Sequence, residues 1–338
     1  MTIGVALCTY NASKYIVQQL DSIINQTSKP DIIFINDDNS SDSTLEILRN
    51  YSCESEVAFD IKANPLRLGY KANFENVIQR CNTDIIIPSD QDDFWLPEKN
   101  QKLVKPLLAS ENIMLTCCNS FLADSNLQLM KDTLWDSVGF PKQLRLSGSN
   151  KELFKLILLE HNVISGHALA FKKELLQIAL PLNMEFEWDH WIALNAAVAD
   201  KVMIVDEALI YYRQHSSNVI GAPSNESSKM ELLINDFKKK LANKLQIIND
   251  DGELIDWRIV LREKADSLKN IKHLLNNDLA VNDTLQIIDE NIEYLNVRYK
   301  LPKARLFRIL ICLNLLCNKS YSRFGRGLLS FGIDLVRK

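Results

Sequence analysis

The sequence contains no apolar run that approaches the roughly 20 residues needed for a membrane-spanning helix. The longest candidate runs from Leu306 to Cys317, which is short and is interrupted by Arg308 and Asn314. The N-terminal residues 1–5 lack the basic segment and the cleavage site of a signal peptide. We therefore expect the protein to stay in the cytoplasm.

The sequence also lacks paired cysteines and an excess of basic charge. It has seven cysteines, an odd number, and none forms a C-x-x-C pair. This usage fits a reducing compartment better than a disulfide framework or a zinc site. The formal net charge is -4, so the chain has no overall basic field of the kind that nucleic-acid binding requires. The composition therefore makes no case for a secreted disulfide scaffold or a nucleic-acid-binding protein.

Acidic residues are scarce in the C-terminal tail, which we define as residues 303–338. The tail has one acidic residue, Asp334, and eight basic residues, so it carries +7 and residues 1–302 carry -11. The basic residues are Lys303, Arg305, Arg308, Lys319, Arg323, Arg326, Arg337 and Lys338. An apolar stripe lies among them, made of Leu306, Phe307, Ile309, Leu310, Leu313 and Leu316. This pattern predicts docking on anionic lipid headgroups. The alternative is a helix packed on the protein with its basic residues facing solvent.

Strand and helix patterns alternate over the first hundred residues. Short apolar runs at residues 3–8, 32–35 and 84–88 are typical of buried strands, and helical patterns lie between them. This alternation predicts parallel βαβ units, in which ligands bind beyond the carboxyl ends of the strands. Polar clusters follow the three runs at those ends, at residues 9–11, 37–42 and 90–93. A capping box of Ser43 and Glu46 predicts a helix start after the second cluster.

The pattern changes near residue 222. Residues 110–215 show mixed strand and helix signals, residues 224–228 form a polar break, and most of the sequence from there to residue 300 is typical of amphipathic helix. We therefore predict an α/β domain over residues 1–222 and a helical region with a basic tail over residues 223–338.

The acidic segment Asp90-Gln91-Asp92-Asp93 is the strongest chemical signal. On an extended segment, carboxylates two residues apart project to the same side. Together they can hold a hard cation such as Mg²⁺ or Mn²⁺, which usually also binds substrate phosphates. The alternative is a solvated acidic turn. The position of the segment after an apolar strand, at the expected ligand-binding edge, favours the metal site.

Asp37 and Asp38 form a second acidic pair at a strand end. A carboxylate in this position can accept hydrogen bonds from a base N–H or from ribose hydroxyls. The alternative is turn chemistry, since Asp, Asn and Ser all favour turns.

Four motifs together resemble the family-2 glycosyltransferases of the GT-A fold. They are Leu7-Cys8-Thr9-Tyr10-Asn11, Asp37-Asp38-Asn39-Ser40-Ser41-Asp42, Ser89-Asp90-Gln91-Asp92-Asp93-Phe94-Trp95-Leu96-Pro97-Glu98-Lys99 and Tyr212-Arg213-Gln214-His215-Ser216-Ser217-Asn218. The third and fourth are similar to those of bacterial rhamnosyltransferase-like members. The resemblance covers residues 1 to about 220 and implies a Rossmann-like, mostly parallel sheet flanked by helices, with an α-helical C-terminal extension.

The resemblance also implies a nucleotide-sugar site and a metal site. Tyr10, between Thr9 and Asn11, would lie against the base, Asp38 would bind base or ribose, and Asp90 would contact ribose or metal. Asp92 would be the principal metal ligand. Asp93 would lie beside it, and His215 would complete the metal or diphosphate site.

Three further residues are implied near the donor. Lys71 would touch phosphate, although an exposed lysine at a helix start is an equal alternative. Gly166 and His167 would line the donor-sugar pocket, although the glycine could instead mark a close backbone approach.

The inverting mechanism of the family implies a general base at the start of a later helix. Asp189 in Glu187-Trp188-Asp189-His190 fits that position. Relatives often have Glu-Asp there, whereas Trp188 precedes Asp189 here, which puts Glu187 in doubt. A plain helix N-cap is the alternative for Asp189, and His190 is an alternative base because its unperturbed pKa lies nearer neutrality.

The resemblance therefore implies an inverting transfer of a sugar from dTDP-rhamnose or a UDP-hexose to a saccharide or lipid-linked saccharide in bacterial surface polysaccharides such as O-antigen or capsule. A sugar nucleotidyltransferase is one alternative, but it would need a Gly-rich phosphate loop, and residues 5–20 contain no glycine. A non-catalytic nucleotide-sugar-binding subunit is another, and the presence of Asp92 and Asp189 argues against it.

Overall fold

The computed structural model describes residues 1–159, 161–182, 186–215, 218, 262, 265–266, 269, 272, 282–302, 305–321, 331 and 334–335. The predicted boundary at residue 222 and most of the predicted helical stretch that follows it lie outside these residues.

Four parallel strands form the N-terminal half of a nine-stranded sheet. β1 (Ile3–Thr9) pairs with β2 (Ile32–Asp37), β2 pairs with β3 (Ala58–Ala63), and β4 (Ile85–Ser89) pairs with the other side of β1. β1 and β4 are buried along their whole length, as expected for parallel strands covered on both faces. Because these strands are parallel, the polar clusters that follow β1, β2 and β4 lie at one edge of the sheet.

The other half of the sheet is mixed. β8 (Leu169–Lys172) is antiparallel to β4 and to β6 (Leu115–Ala123), and β9 (Val202–Arg213) runs parallel to β6. The short strands β5 (Phe94–Trp95) and β7 (Leu129–Thr133) are antiparallel to β9 and β6. The strand order is β3-β2-β1-β4-β8-β6-β9-β5, with β7 beside β6. Pairing of β5 with the end of β9 brings the segment after β9 to the acidic residues after β4.

Helices flank this sheet, as the alternating pattern predicts. In chain order they are α1 (Ile16–Ile24), α2 (Thr44–Glu54), α3 (Tyr70–Arg80), α4 (Lys99–Ala109), α5 (Leu134–Val138), α6 (Lys142–Ser147), α7 (Asn150–Leu159), α8 (Leu176–Ala179) and α9 (Trp188–Val198). Apolar side chains of α1 and α4 pack with those of β1, β2 and β4 in the main core. The expected α/β architecture is confirmed.

The predicted capping box at the start of α2 is wrong in its chemistry. Ser43 is the N-cap residue, but its side chain makes no capping hydrogen bond. Asp42 supplies the acceptor instead, because its Oδ1 accepts from the Thr44 backbone N–H at 3.0 Å. The carboxylate one residue earlier in the chain therefore replaces the predicted hydroxyl.

The chain divides into two compact units. One comprises residues 1–157 and 162–223, and the other comprises residues 158–161 and 224–338. The second unit contains α10 (Asn282–Tyr299) and α11 (Arg305–Cys317). Among its described residues, the Arg298 guanidinium donates to both oxygens of buried Asp334 at 2.6 and 2.9 Å. Across the described parts of the chain, no helix combines the length and the apolar character needed to cross a membrane.

Candidate active site

A cavity of about 960 Å³ opens at the carboxyl ends of β1, β2 and β4. Most of the site residues expected from the sequence line it. They are Thr9, Tyr10, Asn11, Asp38, Asp90, Asp92, Gly166, His167, Asp189 and His215. The described lining does not include Asp93 or Lys71. Residues from the two halves of the sheet therefore meet at one opening.

The loop after β1 is held by side chains of the other two polar clusters. The Tyr10 backbone N–H donates to Gln91 Oε1 at 2.7 Å. Asn11 has a left-handed backbone with φ of 49°, and its N–H donates to Ser40 Oγ at 2.8 Å. The Thr9 hydroxyl donates to Asp37 Oδ2 at 2.7 Å. Thr9 and Asn11 therefore shape the loop that presents the Tyr10 ring to the cavity.

Asp38 anchors the loop between β3 and α3. Its side chain is 3% exposed, and its Oδ1 accepts from the Leu68 N–H at 2.7 Å and from Asn64 Nδ2 at 3.0 Å. Its Oδ2 accepts from the Gly69 N–H at 2.9 Å. Both carboxylate oxygens of Asp38 thus accept hydrogen bonds from the protein. Asp38 therefore fixes the part of the cavity wall where the nucleotide base is expected to bind.

The three aspartates after β4 point in different directions. Asp92 Oδ2 lies 2.9 Å from His215 Nε2. Asp93 is fully buried, and its Oδ1 accepts from the Arg213 backbone N–H at 3.1 Å. Asp90 is 39% exposed, but that surface faces the cavity. Burial, reinforced by the charges of Asp92 and Asp189, raises the Asp90 pKa to about 7. A bound cation would lower the pKa of such neighbouring carboxylates, because an opposite charge favours their ionised form.

Two adjoining groups of donor atoms can hold that cation. The Asp92–His215 pair is one. In the other, Asp90, Asp93 and His167 each offer one atom, and these atoms lie within 4.8 Å of one another. Buried Asp93 Oδ2 has no hydrogen-bond partner among the described residues. Carboxylate oxygens with an imidazole nitrogen suit Mn²⁺ or Mg²⁺, so the residues fit a divalent metal.

Asp189 lies in the first turn of α9, on another part of the cavity wall. Its Oδ2 accepts from the Gly166 N–H at 2.8 Å, and its Oδ1 accepts from the His190 N–H at 2.6 Å. Burial raises the Asp189 pKa to about 6 against the lowering effect of these hydrogen bonds. The N-cap residue of α9 is Glu187, so the plain N-cap alternative does not describe Asp189.

The alternative base, His190, is held away from the described cavity lining. Its Nε2 lies 2.7 Å from the Ile157 carbonyl oxygen. A carbonyl oxygen can only accept, so Nε2 carries a hydrogen in this contact, and the described cavity lining includes Asp189 but not His190.

Comparison with known proteins identifies the family. A model described as "Glycosyl transferase family 2" matches residues 4–178, which is more than half of the chain. The chain belongs to glycosyltransferase family 2. The family-2 match includes all of β1 except Ile3, the acidic segment and Gly166, whereas Asp189 and His215 lie beyond it.

The family-2 assignment agrees with individual relatives. A glycosyltransferase of Haemophilus influenzae is 24% identical over 324 residues, which cover 90% of this chain and 96% of the relative. The dTDP-rhamnosyl transferase RfbG of Shigella flexneri is 34% identical over 106 residues, which cover 30% of this chain and 37% of RfbG. Three mycobacterial relatives are 24% identical over 214 residues, and the chain spans 58% of their length.

The structure of Staphylococcus aureus TarS 1–349 in complex with UDP-GlcNAc is also similar. The TM-score is 0.50, the sequence identity is 15%, and the match covers 96% of this chain and 88% of that chain. At this identity the similarity concerns the fold. The GT-A fold expected from the sequence is confirmed.

Glu187, the N-cap residue of α9, contacts two residues at the start of α3. The Tyr70 hydroxyl donates to Glu187 Oε2 at 2.6 Å, and Lys71 Nζ lies 3.1 Å from Glu187 Oε1. Lys71 Nζ also donates to the Phe186 carbonyl at 3.2 Å. Lys71 therefore bridges α3 and the start of α9, and its contact with phosphate stays a prediction.

Gly166 is required by a close approach. A Cβ atom built at Gly166 would overlap the Trp188 indole ring, and Trp188 stacks on Phe74 with ring centroids 4.3 Å apart. The close-approach alternative is therefore realised, while Gly166 also lines the cavity. The tight fit of Gly166 against Trp188 sets the position of Asp189, one residue further along.

Sequence reasoning missed several residues that hold the site. Arg213 and Asn218 lie within a recognised motif but received no role, and Gln91 lies between the two aspartates. Arg67, whose guanidinium lies 3.9 Å from the Tyr10 ring centroid, lies outside the motifs. Lys99, fully buried with Nζ 3.1 Å from the Trp95 ring centroid, also received no role. Motif membership was the available signal for Gln91, Lys99, Arg213 and Asn218.

Proposed function

We propose that this family-2 protein is a metal-dependent, inverting glycosyltransferase that moves a sugar from a nucleotide-sugar donor to a saccharide or lipid-linked saccharide acceptor. One observation carries the proposal. A single cavity gathers the Asp92–His215 pair, which suits a metal-bound diphosphate, and Asp189, a carboxylate suited to take a proton. The residues proposed to bind the diphosphate and the residue proposed to accept the proton therefore line the same cavity.

Asp189 is the general base in this proposal. It takes the proton of the acceptor hydroxyl while that oxygen forms a bond to the anomeric carbon. The bond between the anomeric carbon and the phosphate oxygen breaks, and its electron pair leaves with the nucleoside diphosphate. Attack from the opposite face inverts the anomeric configuration in one displacement. A pKa of about 6 leaves Asp189 largely ionised at neutral pH while keeping it basic enough to accept a proton.

Asp92 and His215 would hold Mg²⁺ or Mn²⁺, with Asp90 and Asp93 beside them. Such an ion neutralises charge that develops on a leaving diphosphate. The residues themselves place the donor, because the Tyr10 ring, Asp38 and Asp90 line the cavity next to that pair. This arrangement orients the anomeric carbon between the diphosphate site and Asp189.

The donor and pathway follow the relatives. The local similarity to RfbG, a dTDP-rhamnosyl transferase, supports dTDP-rhamnose, and a UDP-hexose is the second donor to test. A role in bacterial surface polysaccharide synthesis, such as O-antigen or capsule, accords with either donor.

We also propose that the C-terminal tail binds the inner face of the cell membrane. On α11 the side chains of Phe307, Ile309, Leu310 and Leu313 are exposed. Arg308 differs from expectation, because it is 2% exposed and its Nε donates to the Pro302 carbonyl at 2.8 Å. The lipid-facing charge must therefore come from other basic residues of the tail, most of which lie outside the described residues.

Transfer can be tested directly. Purified protein with Mn²⁺ would be given dTDP-rhamnose or UDP-hexoses and a panel of lipid-linked and soluble saccharides, and released nucleoside diphosphate would be measured. We expect acceptor-dependent release and a product whose anomeric configuration, read from the one-bond ¹³C–¹H coupling at its anomeric carbon, is opposite to that of the donor. Donor binding without transfer or hydrolysis across the panel would favour a non-catalytic subunit, and retention of configuration would refute the mechanism.

A further inference from the structure

The side chain of Asn218 holds the backbone that follows β9. Its Oδ1 accepts from the His215 backbone N–H at 2.6 Å, and its Nδ2 donates to the Arg213 carbonyl at 2.9 Å. The Asn218 backbone N–H also donates to the His215 carbonyl at 3.2 Å. One side chain thus fixes the backbone on both sides of residue 214 and limits the directions in which the His215 ring can point.

Arg213 holds Asp92, the other member of the Asp92–His215 pair. It is 1% exposed, and its Nε donates to the Asp92 carbonyl at 2.6 Å. Its Nη1 donates to the Ser125 carbonyl at 2.7 Å, and its Nη2 donates to Gln18 Oε1 at 2.8 Å. A buried guanidinium is tolerated when its N–H groups find acceptors in this way. Arg213 therefore ties the Asp92 backbone to β9 and to two other segments.

The aromatic ring of Tyr15 also contacts His215. The Tyr15 ring centroid lies 4.9 Å from that of His215, and the Arg213 guanidinium lies 4.4 Å from the Tyr15 ring. Backbone hydrogen bonds and ring contacts therefore restrain both members of the Asp92–His215 pair. The 2.9 Å separation of Asp92 Oδ2 and His215 Nε2 is compatible with two ligands of one cation.

We propose that Asn218 is a positioning residue for the metal site, acting with Arg213 to hold His215 and Asp92 in register before the cation binds. The inference rests on the proposed function, because it assumes that the Asp92–His215 pair binds the metal. Residues that orient metal ligands typically change metal affinity by about 10- to 100-fold when they are replaced. Asn218 offers the cleaner test, since loss of buried Arg213 would disturb four segments at once.

The experiment measures Mn²⁺ binding to the full chain by isothermal titration, with UDP or dTDP present at saturation. Three variants are compared with the wild type. Asn218→Ala removes both side-chain hydrogen bonds, whereas Asn218→Asp keeps the acceptor for the His215 N–H. Asn126→Ala is the matched control, because it makes the same substitution at an exposed residue on the loop whose Ser125 carbonyl Arg213 contacts. Circular dichroism and thermal melting report folding, and nucleotide affinity in EDTA reports the rest of the site.

We expect Asn218→Ala to weaken Mn²⁺ binding by about tenfold or more, with nucleotide affinity in EDTA and the melting curve close to wild type. Asn218→Asp and Asn126→Ala should bind Mn²⁺ at least about as tightly as the wild type. An unchanged Mn²⁺ affinity in Asn218→Ala would overturn the inference, as would an equal loss in Asn218→Asp. Absence of Mn²⁺ binding by the wild type would instead contradict the proposed metal site itself.

Discussion

At Asp189, burial and hydrogen bonding act on the pKa in opposite directions, and burial has the larger effect. The resulting pKa of about 6 belongs to a carboxylate that accepts from the Gly166 and His190 N–H groups. These two donors fix the carboxylate orientation without removing all of its lone pairs. In the proposed role of general base, such a carboxylate is ionised at neutral pH and can still accept a proton.

Replacing Asp189 with Asn should preserve donor binding and lower kcat by about 10²- to 10⁴-fold, the usual contribution of a general base. In the wild type, the base is active when ionised, so kcat/KM should rise with pH through about 6 and level off above it. The variant should lack this rising limb. Steady-state transfer assays across pH check both effects, and near-wild-type turnover in Asp189→Asn would remove Asp189 from the role of base.

The resemblance implied that Asp92 and His215 belong to one site, but it did not imply the direction in which the Asp93 side chain points. Asp92 meets His215, 123 positions later, whereas Asp93 turns into the core toward Arg213. Both carboxylate oxygens of Asp38 likewise accept hydrogen bonds from the loop before α3. A motif shows that carboxylates gather at a strand end, but their directions depend on partners that lie far away in sequence.

At the scale of elements, the start of α9 is held by a tight fit between residues of separate segments. Gly166 precedes β8, and Trp188 is the first residue of α9. The stack of Trp188 on Phe74 brings in α3 as well. Asp189 is therefore positioned by packing between three elements as well as by the His190 N–H of its own turn.

Substituting Gly166 with Ala should displace Trp188, lower stability by about 1–3 kcal/mol and reduce kcat, because the Gly166 N–H also holds Asp189. Gly148→Ala is the matched control. It meets open space at the end of α6, where a φ of 62° alone strains alanine. Thermal melting and transfer kinetics separate the two effects. If Gly166→Ala kept wild-type kcat, the packing at Gly166 would not position the base.

The buried strands were the most predictable elements, because continuous apolar runs such as that of β1 leave few alternatives. The sequence was less informative about β9. The sequence shows only mixed strand and helix signals over residues 110–215, whereas β9 is one strand of 12 residues that runs to Arg213. Its later residues pair with β5 and with the far end of β6, and these partners come from distant segments. Local patterns do not contain that information.

At the scale of the whole molecule, the family-2 unit and the C-terminal region were expected to have different roles. The family-2 match ends at residue 178, and α11 exposes apolar side chains. The charge divides further along the chain, with the tail at +7 and residues 1–302 at -11. In the proposed docking, an anionic surface would attract the tail and repel residues 1–302.

Leu310→Asp should weaken binding to vesicles of phosphatidylcholine and phosphatidylglycerol by about tenfold or more, since a buried leucine contributes about 1.5–3 kcal/mol. Asn314→Asp is the matched control, because it adds the same charge at an exposed position of α11. Co-sedimentation of each variant with these vesicles measures the difference in binding. If a chain ending at Pro302 sedimented as the full chain does, the tail would not be the membrane-binding segment.

The most direct test of the central claim is the equilibrium binding of dTDP-, UDP- and GDP-sugars to the whole protein, with and without Mn²⁺. We expect one class of donor to bind in a metal-dependent manner. The same donor should lose most of its affinity in Asp92→Ala and keep it in Asp189→Asn. Undiminished, metal-dependent binding in Asp92→Ala, or the absence of binding by any donor to the folded wild type, would contradict the account.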